Sequence, residues 1–304
     1  MLSVVICTYN RNNILKICLE SIIKYFPINF TTELIIVNNN STDATAQTLT
    51  NLAKKYSWIN LINEPKQGLS QARNTGFQFA SYSWILFLDD DAKIDQNLFN
   101  RVYEHIKSQN YQCIGGLYLP WYINEKPKWF RDNWASNRLD YDSLKPMRNG
   151  EFASGGVFLV HKDLLNKHKG FRTNYGMSGK HLGYGEETDL QLRIRKSGHK
   201  VAYDPEMIIY HLVPPHKMTI SWQLNSSFQM GKTFLKTVGY PDNFLIGLLS
   251  LFLGIIQVLV FSIFNFPKLF RADYFIQNYT VDVLRKPLKW FGAFWASMSF
   301  TKLT

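Results

Sequence analysis

Short apolar runs rich in β-branched residues recur through about the first hundred residues, at 2–9, 33–37, 59–62 and 84–88. Between them, residues 12–25, 43–56 and 69–81 space their apolar positions as helices do. Such alternation predicts a mostly parallel sheet with helices on both faces. In open sheets of this kind ligands bind beyond the carboxyl ends of the strands. The polar clusters lie at those ends: "TYNRNN" follows the first run, "NNNSTD" the second and "DDD" the last. Three polar loops are therefore predicted to converge on one edge of the sheet.

After residue 110 the pattern becomes irregular. The stretch "IGGLYLPWYINEKPKWFRDNWASNRLDYDSLKPMRNG" is rich in aromatic, proline, asparagine and basic residues. It reads as an excursion over a binding site or as a surface insertion packed on its own aromatics. A strand is predicted to resume at 155–160 and a helix at 186–198, with acids in its first turn, Arg195 and Lys196 late, and Gly198 past its end. Residues 244–266, "FLIGLLSLFLGIIQVLVFSIFNF", hold no charged residue across 23 positions, enough to cross a bilayer as a helix. A buried core helix is the alternative.

Composition narrows the class. A chain of 304 residues that is 46% hydrophobic can build a large core and is not disordered. The net charge of +11 suits nucleic acid, an anionic membrane or a negatively charged substrate. Much of the basic excess flanks the apolar segment, with Lys232 and Lys236 before it and Lys268, Arg271, Arg285, Lys286 and Lys289 after it. No nucleic-acid partner is therefore expected. Cys7, Cys18 and Cys113 show no CxxC spacing, which argues against a disulfide framework or zinc site and fits a reducing compartment. The opening apolar run is short and has no basic residue before it, so no secretory signal is expected.

Within the polar loops, Asp89, Asp90 and Asp91 repel one another. The remedies are a bound cation or nearby arginine and lysine, unless the triplet is a solvated turn. In "GYGEETDLQLR", Gly183 and Gly185 permit a tight turn, and Glu186, Glu187 and Asp189 follow near a helix N-terminus. They are either helix-start decoration or a source of a general base. His211 ends a strand-like run and is a candidate third ligand beside the acids, a mixed set suited to Mn²⁺ or Mg²⁺. Arg73 lies on a helix entered through Gly68, as a solvated residue or as a cation near a diphosphate. Neither the P-loop nor the GxGxxG pattern is present.

The segments "VVICTYNR", "ELIIVNNNSTDAT", "GLSQARNTGF", "WILFLDDD", "GGVFLVHKDLL", "GEETDLQLR" and "YHLVPPHKMT" resemble, in that order and at similar spacing, the motif series of family 2 glycosyltransferases. The resemblance covers about residues 1–220. It implies a GT-A α/β fold and inverting transfer of a sugar from a nucleotide diphosphate sugar, with uridine as the base. By that resemblance Cys7, Tyr9 and Asn39 lie toward the nucleobase with Arg11 close by, and Arg73 faces the nucleotide. Asp89 and Asp90 reach the ribose side, Asp91 ligates a divalent metal, and His211 completes the metal or diphosphate site. Glu187 is the implied catalytic base, with Gly155, Gly156 and Glu186 supporting the acceptor side. Two departures stand out: the loop after the second strand reads Asn38, Asn39, Asn40 where the family commonly carries Asp, and Glu187 stands where Asp is frequent.

The organisation this implies is a catalytic domain over 1–225, with a nucleotide-binding half to about residue 110 and an acceptor half beyond it. A membrane-associated region over 226–304 follows. Expected partners are a nucleotide sugar, a saccharide or lipid-linked saccharide acceptor, and the cytoplasmic face of the cell membrane. The basic excess after the apolar segment would place the C-terminal side in the cytosol, where a catalytic domain using nucleotide sugars must also be. One simple crossing cannot satisfy both, whereas a re-entrant hairpin or an interfacial helix can. The competing reading, a catalytically silent nucleotide-sugar-binding protein, predicts erosion at Asp91 or Glu187, and neither is eroded.

Overall fold

The structure is a computed structural model and describes residues 1–27, 29–179, 182–238 and 243–300. It forms two compact units. One comprises Met1–Trp121, Ala135–Lys180 and Glu186–Leu212; the other comprises Tyr122–Trp134, His181–Gly185 and Val213–Thr304.

In chain order the first unit contains β1 (Leu2–Thr8), α1 (Asn12–Tyr25), β2 (Thr32–Asn38), α2 (Thr45–Lys55), β3 (Ile59–Asn63), α3 (Leu69–Phe79), β4 (Trp84–Asp89), β5 (Ala92–Ile94), α4 (Leu98–Ser108) and β6 (Cys113–Trp121). These are followed by β7 (Lys145–Pro146), β8 (Val157–His161), α5 (Lys162–Lys167), α6 (Glu186–Lys196) and β9 (Ala202–Leu212). The strands form one sheet in the order β3-β2-β1-β4-β8-β6-β9-β5, with β7 on β9. From β3 to β4 every pairing is parallel, as the alternation predicts. Beyond β4 the sheet is mixed: β8 runs antiparallel to β4 and β6, and β9 runs parallel to β6 but antiparallel to β5 and β7.

Strand alternation divides the core into two layers. Val4, Ile6, Leu34, Ile36, Leu86 and Leu88 pack with α1, α2 and α4. Val5, Ile35, Val37, Ile85 and Phe87 face the other way, against α3, α5 and α6. With both faces covered, the strands read as continuous apolar runs rather than alternating ones. Helix α1 presents Leu15, Cys18, Leu19 and Ile22 to its layer, the i, i+3, i+4, i+7 stripe of an amphipathic helix.

One stretch departs from the sequence reading. The segment read as irregular from residue 114 contains most of β6, whose Gly115, Gly116 and Pro120 hide its strand character. The glycines are required there. A Cβ on Gly115 would collide with Ala153, and one on Gly116 with the Met207 carbonyl.

Register aligns the strand ends. Thr8 lies opposite Asn38, and Cys7 opposite Asp89, so β1, β2 and β4 end together. The loops that follow are tied to each other: Asn10, at φ 52°, accepts N–H bonds from Thr42 and Asp43 through its Oδ1.

The second unit is helical, with α7 (Ile220–Thr237), α8 (Phe244–Asn265) and α9 (Ile276–Phe300). Helix α8 fills the predicted 244–266 segment. Glycines set the close approaches in this unit. Gly247 and Gly254 of α8 face Ser297 and Phe291 of α9, while Gly231 of α7 lies on the Lys289 backbone. The α8–α9 pairs run in opposite chain directions, as do Gly231 with Lys289 and Phe228 with Gly292 between α7 and α9, so α9 is antiparallel to both neighbours.

Candidate active site

Asp89 ends β4 and Asp91 lies in the turn into β5. The β5–β9 pairing places Ala92 opposite His211, and the Leu212 N–H donates to the Asp91 carbonyl at 3.0 Å. That pairing brings the imidazole to the acids: His211 Nε2 stands 3.1 Å from Asp91 Oδ1 and 3.6 Å from Asp89 Oδ2. One ligand atom from each of Asp89, Asp91 and His211 lies within 4.8 Å of the others, close enough to share a cation. Two carboxylates and an imidazole form a hard-to-borderline donor set that fits Mn²⁺ or Mg²⁺. Asp89, which the resemblance puts on the nucleotide side, thus stands with Asp91 and His211. Asp90 does not join the set; burial and then Asp91 push its carboxyl pKa up, against the pull of Arg11 and Thr8.

Two arginines offset the remaining charge. Arg11 Nη1 lies 3.3 Å from Asp91 Oδ2. Arg73, buried on α3, places Nη2 3.4 Å from Asp89 Oδ1 and Nη1 3.0 Å from Glu186 Oε1. Burial works against the Arg73 charge, but Glu186 and Asp89 outweigh it and raise its pKa. Arg73 is therefore no solvated helix-face residue; it links the aspartate loop to the start of α6. A buried cation paired with two anions is tolerable, whereas removing it would leave both anions uncompensated.

The two glycines before β8 make this link sterically feasible. A Cβ on Gly155 would stand 2.7 Å from the Arg73 guanidinium, and one on Gly156 would collide with Asp89 Oδ2. The space a side chain would take at these positions is filled by Arg73 and Asp89.

At the start of α6 the acids divide. Asp189 is held by Arg172 and Arg193 in ion pairs of 3.0 and 2.7 Å, a structural use. Glu186 pairs with Arg73. Glu187 has no hydrogen-bond partner at its buried Oε2 among the described residues, and neither has Glu186 at its own Oε2. Burial, then the neighbouring Glu186 charge, push the Glu187 pKa up to about 8, although Arg73 opposes the shift. A carboxyl raised toward neutral pH has the properties of a general base.

The nucleobase candidates separate as well. Tyr9 follows β1 and is half-buried, and Cys7 is on the strand with its thiol pKa pushed up to about 12, chiefly by burial. Asn39 is turned into the loop before α3. Its Nδ2 donates to the Glu64 and Lys66 carbonyls at 3.1 and 2.8 Å, and its Oδ1 accepts from the Gly68 N–H at 2.8 Å. An aspartate could not donate those two bonds, which accounts for asparagine here. Sequence reasoning missed Tyr118, whose ring lies 5.5 Å from that of His211, and Gly176, where a Cβ would press on Ser70 and Glu186. Only the three-dimensional pairing reveals either.

Comparison with known proteins gives a consistent picture. Residues 3–169, more than half of the chain, match the description "Glycosyl transferase family 2". The succinoglycan biosynthesis protein ExoM of Rhizobium meliloti (strain 1021) is similar, at 23% identity over 235 residues, covering 75% of this chain and 72% of that protein. Glycosyltransferase AglE of Haloferax volcanii is 28% identical over 237 residues, covering 76% and 71%. The chain spans 16% of the length of another relative, glycosyltransferase GlyA of Streptococcus pneumoniae, at 32% identity over 117 residues. Among solved structures, the mannosyltransferase PcManGT from Pyrobaculum calidifontis, in complex with GDP-Man and Mn²⁺, gives a TM-score of 0.61 at 14% identity, covering 100% of this chain and 75% of that one. S. aureus TarS 1-349 in complex with UDP-GlcNAc gives 0.54 at 13% identity, covering 78% and 71%. These likenesses establish the GT-A fold. With the family match over residues 3–169, they show that the chain belongs to glycosyltransferase family 2.

Proposed function

We propose that this chain is an inverting, metal-dependent glycosyltransferase that moves a sugar from a nucleotide diphosphate sugar, with uridine as the base, to a hydroxyl of a saccharide or lipid-linked saccharide. The process served is cell-surface polysaccharide or glycolipid assembly at the cytoplasmic face of the membrane, through the C-terminal helices. The name of ExoM, a succinoglycan biosynthesis protein, supports the polysaccharide setting. The observation that carries the reading is the Arg73 bridge, which joins a three-ligand cluster at Asp89, Asp91 and His211 to a raised-pKa carboxyl at Glu187 through its neighbour Glu186.

In this mechanism Glu187 takes the proton of the acceptor hydroxyl as that oxygen bonds to the anomeric carbon. The carbon–oxygen bond to the diphosphate breaks on the opposite face, its electron pair leaves on the phosphate oxygen, and the anomeric configuration inverts. Asp91, His211 and Asp89 would hold a divalent cation, Mn²⁺ or Mg²⁺, which would supply electrostatic stabilisation of the diphosphate. Arg11 and Arg73 add fixed positive charge beside it. Cys7 and Tyr9 wall the base, with Asp90 on the nucleotide side. Asn39 acts through the 64–68 loop that it fastens, while Gly155 and Gly156 keep Arg73 and Asp89 in place.

A panel of nucleotide sugars, each offered with Mn²⁺ or with chelator, tests the reading. One donor class should raise the melting temperature and release nucleoside diphosphate only with metal. Equal release in chelator, or no stabilisation by any nucleotide sugar, would refute it.

A further inference from the structure

Helix α8 is amphipathic in reverse. Its polar and small residues, Gly247, Ser250, Gly254 and Asn265, are buried against protein, and the Gln257 side-chain oxygen is enclosed there too. Its outward stripe is wholly apolar: Leu245, Leu249, Phe252, Ile256, Leu259 and Ile263 alternate at spacings of four and three and are 39–75% exposed. A helix on a water-facing surface places these classes the other way round. So long an apolar stripe requires an apolar medium. The helix is 22 residues, or about 33 Å at 1.5 Å per residue, so its length alone would also allow a crossing.

Its antiparallel partner decides against one. Gly254, near the middle of α8, meets Phe291 of α9, and the Tyr279 hydroxyl reaches the Ser262 carbonyl. Between those two levels α9 carries Asp282, Arg285, Lys286 and Lys289. If α8 stood upright in a bilayer, these charges would enter the hydrocarbon, with Lys289 close to its midplane. Three of them are engaged on the protein side instead, while Lys286 is exposed, with its Nζ 5.7 Å from the Phe261 ring centroid. Asp282 pairs with Arg131 at 3.1 Å, Arg285 donates to the Trp134 carbonyl, and Lys289 lies 3.8 Å from the Phe234 ring centroid. Phe266 and Phe270, exposed beside Arg271, continue the apolar face past the end of α8 with a cation suited to anionic headgroups.

We infer that α8 lies flat in one leaflet of the membrane, its apolar stripe toward the acyl chains and α9 behind it on the aqueous side, with both ends of the α8–α9 pair on the same face of the bilayer. This deepens the membrane placement proposed above and rests on it. It also reconciles the basic excess after the apolar segment with a cytosolic catalytic unit.

The test places a nitroxide, one position at a time, at Leu245, Phe252, Leu259 and Ile263 of the full chain bound to phosphatidylethanolamine–phosphatidylglycerol vesicles. Collision rates with oxygen and with a water-soluble nickel complex then give the depth of each. A common, shallow depth at all four positions is expected. A profile that deepens toward the middle of the helix and returns to water at Ile263 would overturn the inference in favour of a crossing. Free access of nickel at all four, or exclusion of both reagents in lipid-free protein, as a second copy covering the stripe would give, would overturn it too. As an independent readout, Leu259→Glu should lower the vesicle-bound fraction about tenfold with helix content unchanged; unchanged binding would count against the inference. Donor turnover on the same samples tests the transferase reading separately.

Discussion

Glu187 titrates where its effect can be measured. With a pKa of about 8, about a tenth of the carboxyl is ionised at pH 7 and about nine-tenths at pH 9. If the ionised form is the base, kcat/KM for the donor should rise about tenfold between those pH values, with a unit slope on the acid side. Glu186→Gln removes the like charge that is the second cause of the shift after burial, and it frees Arg73 Nη1 to face Glu187. Both changes favour the carboxylate, so the limb should move to lower pH. The assay is initial-rate nucleoside diphosphate release from pH 5.5 to 9.5 at saturating metal and constant ionic strength. A flat wild-type profile, or a limb that Glu186→Gln leaves in place, would refute the assignment. The same shift has a stability signature of defined sign. Between its ordinary value of 4.5 and about 8, native Glu187 holds a proton that the unfolded chain releases, so its contribution to stability falls as pH rises through that window.

Other outcomes follow from the same contacts. Gly156→Ala should leave the fold intact but rotate Asp89 away from Arg73 and His211, weakening Mn²⁺ binding about tenfold by calorimetry, at the low end of what disturbing a ligand's support costs. Asn39→Asp sets a carboxylate against two backbone carbonyls and should cost about 1–3 kcal/mol in urea unfolding. Asn39→Ala should destabilise by a similar amount, which would show that the side chain fastens the loop.

Much of this was legible because the information is local. Residues 4–6 and 84–88 announce buried strands by runs of β-branched, aromatic and leucine residues, and 186–198 announces a helix by its acids, late basic residues and terminal glycine. The polar loops after those strands accordingly leave from one edge of the sheet, where β1, β2 and β4 end together. What stayed hidden depends on pairing between distant segments. Nothing near His211 reveals that Ala92 will lie opposite it, and nothing near Arg73 reveals that it will reach both Asp89 and Glu186. The local signal at β6 was masked by Gly115, Gly116 and Pro120, whose presence answers to backbone contacts. That residues 122–134 join the helical unit follows from Asn278 donating to the Trp129 carbonyl and Arg131 pairing with Asp282, partners about 150 positions away. The net charge was ambiguous because buried Arg73 and half-buried Arg11 serve the acidic cluster rather than a surface.

Replacement of Glu187 by glutamine keeps the size and shape of the side chain while removing its ability to take a proton. Donor affinity by calorimetry and turnover of the same donor, measured side by side on wild type and Glu187→Gln with Mn²⁺, separate binding from chemistry. Turnover should fall by a factor on the order of 10²–10⁴, with donor affinity within about twofold of wild type. Wild-type-like turnover by Glu187→Gln would contradict the assignment of the base and with it the proposed mechanism.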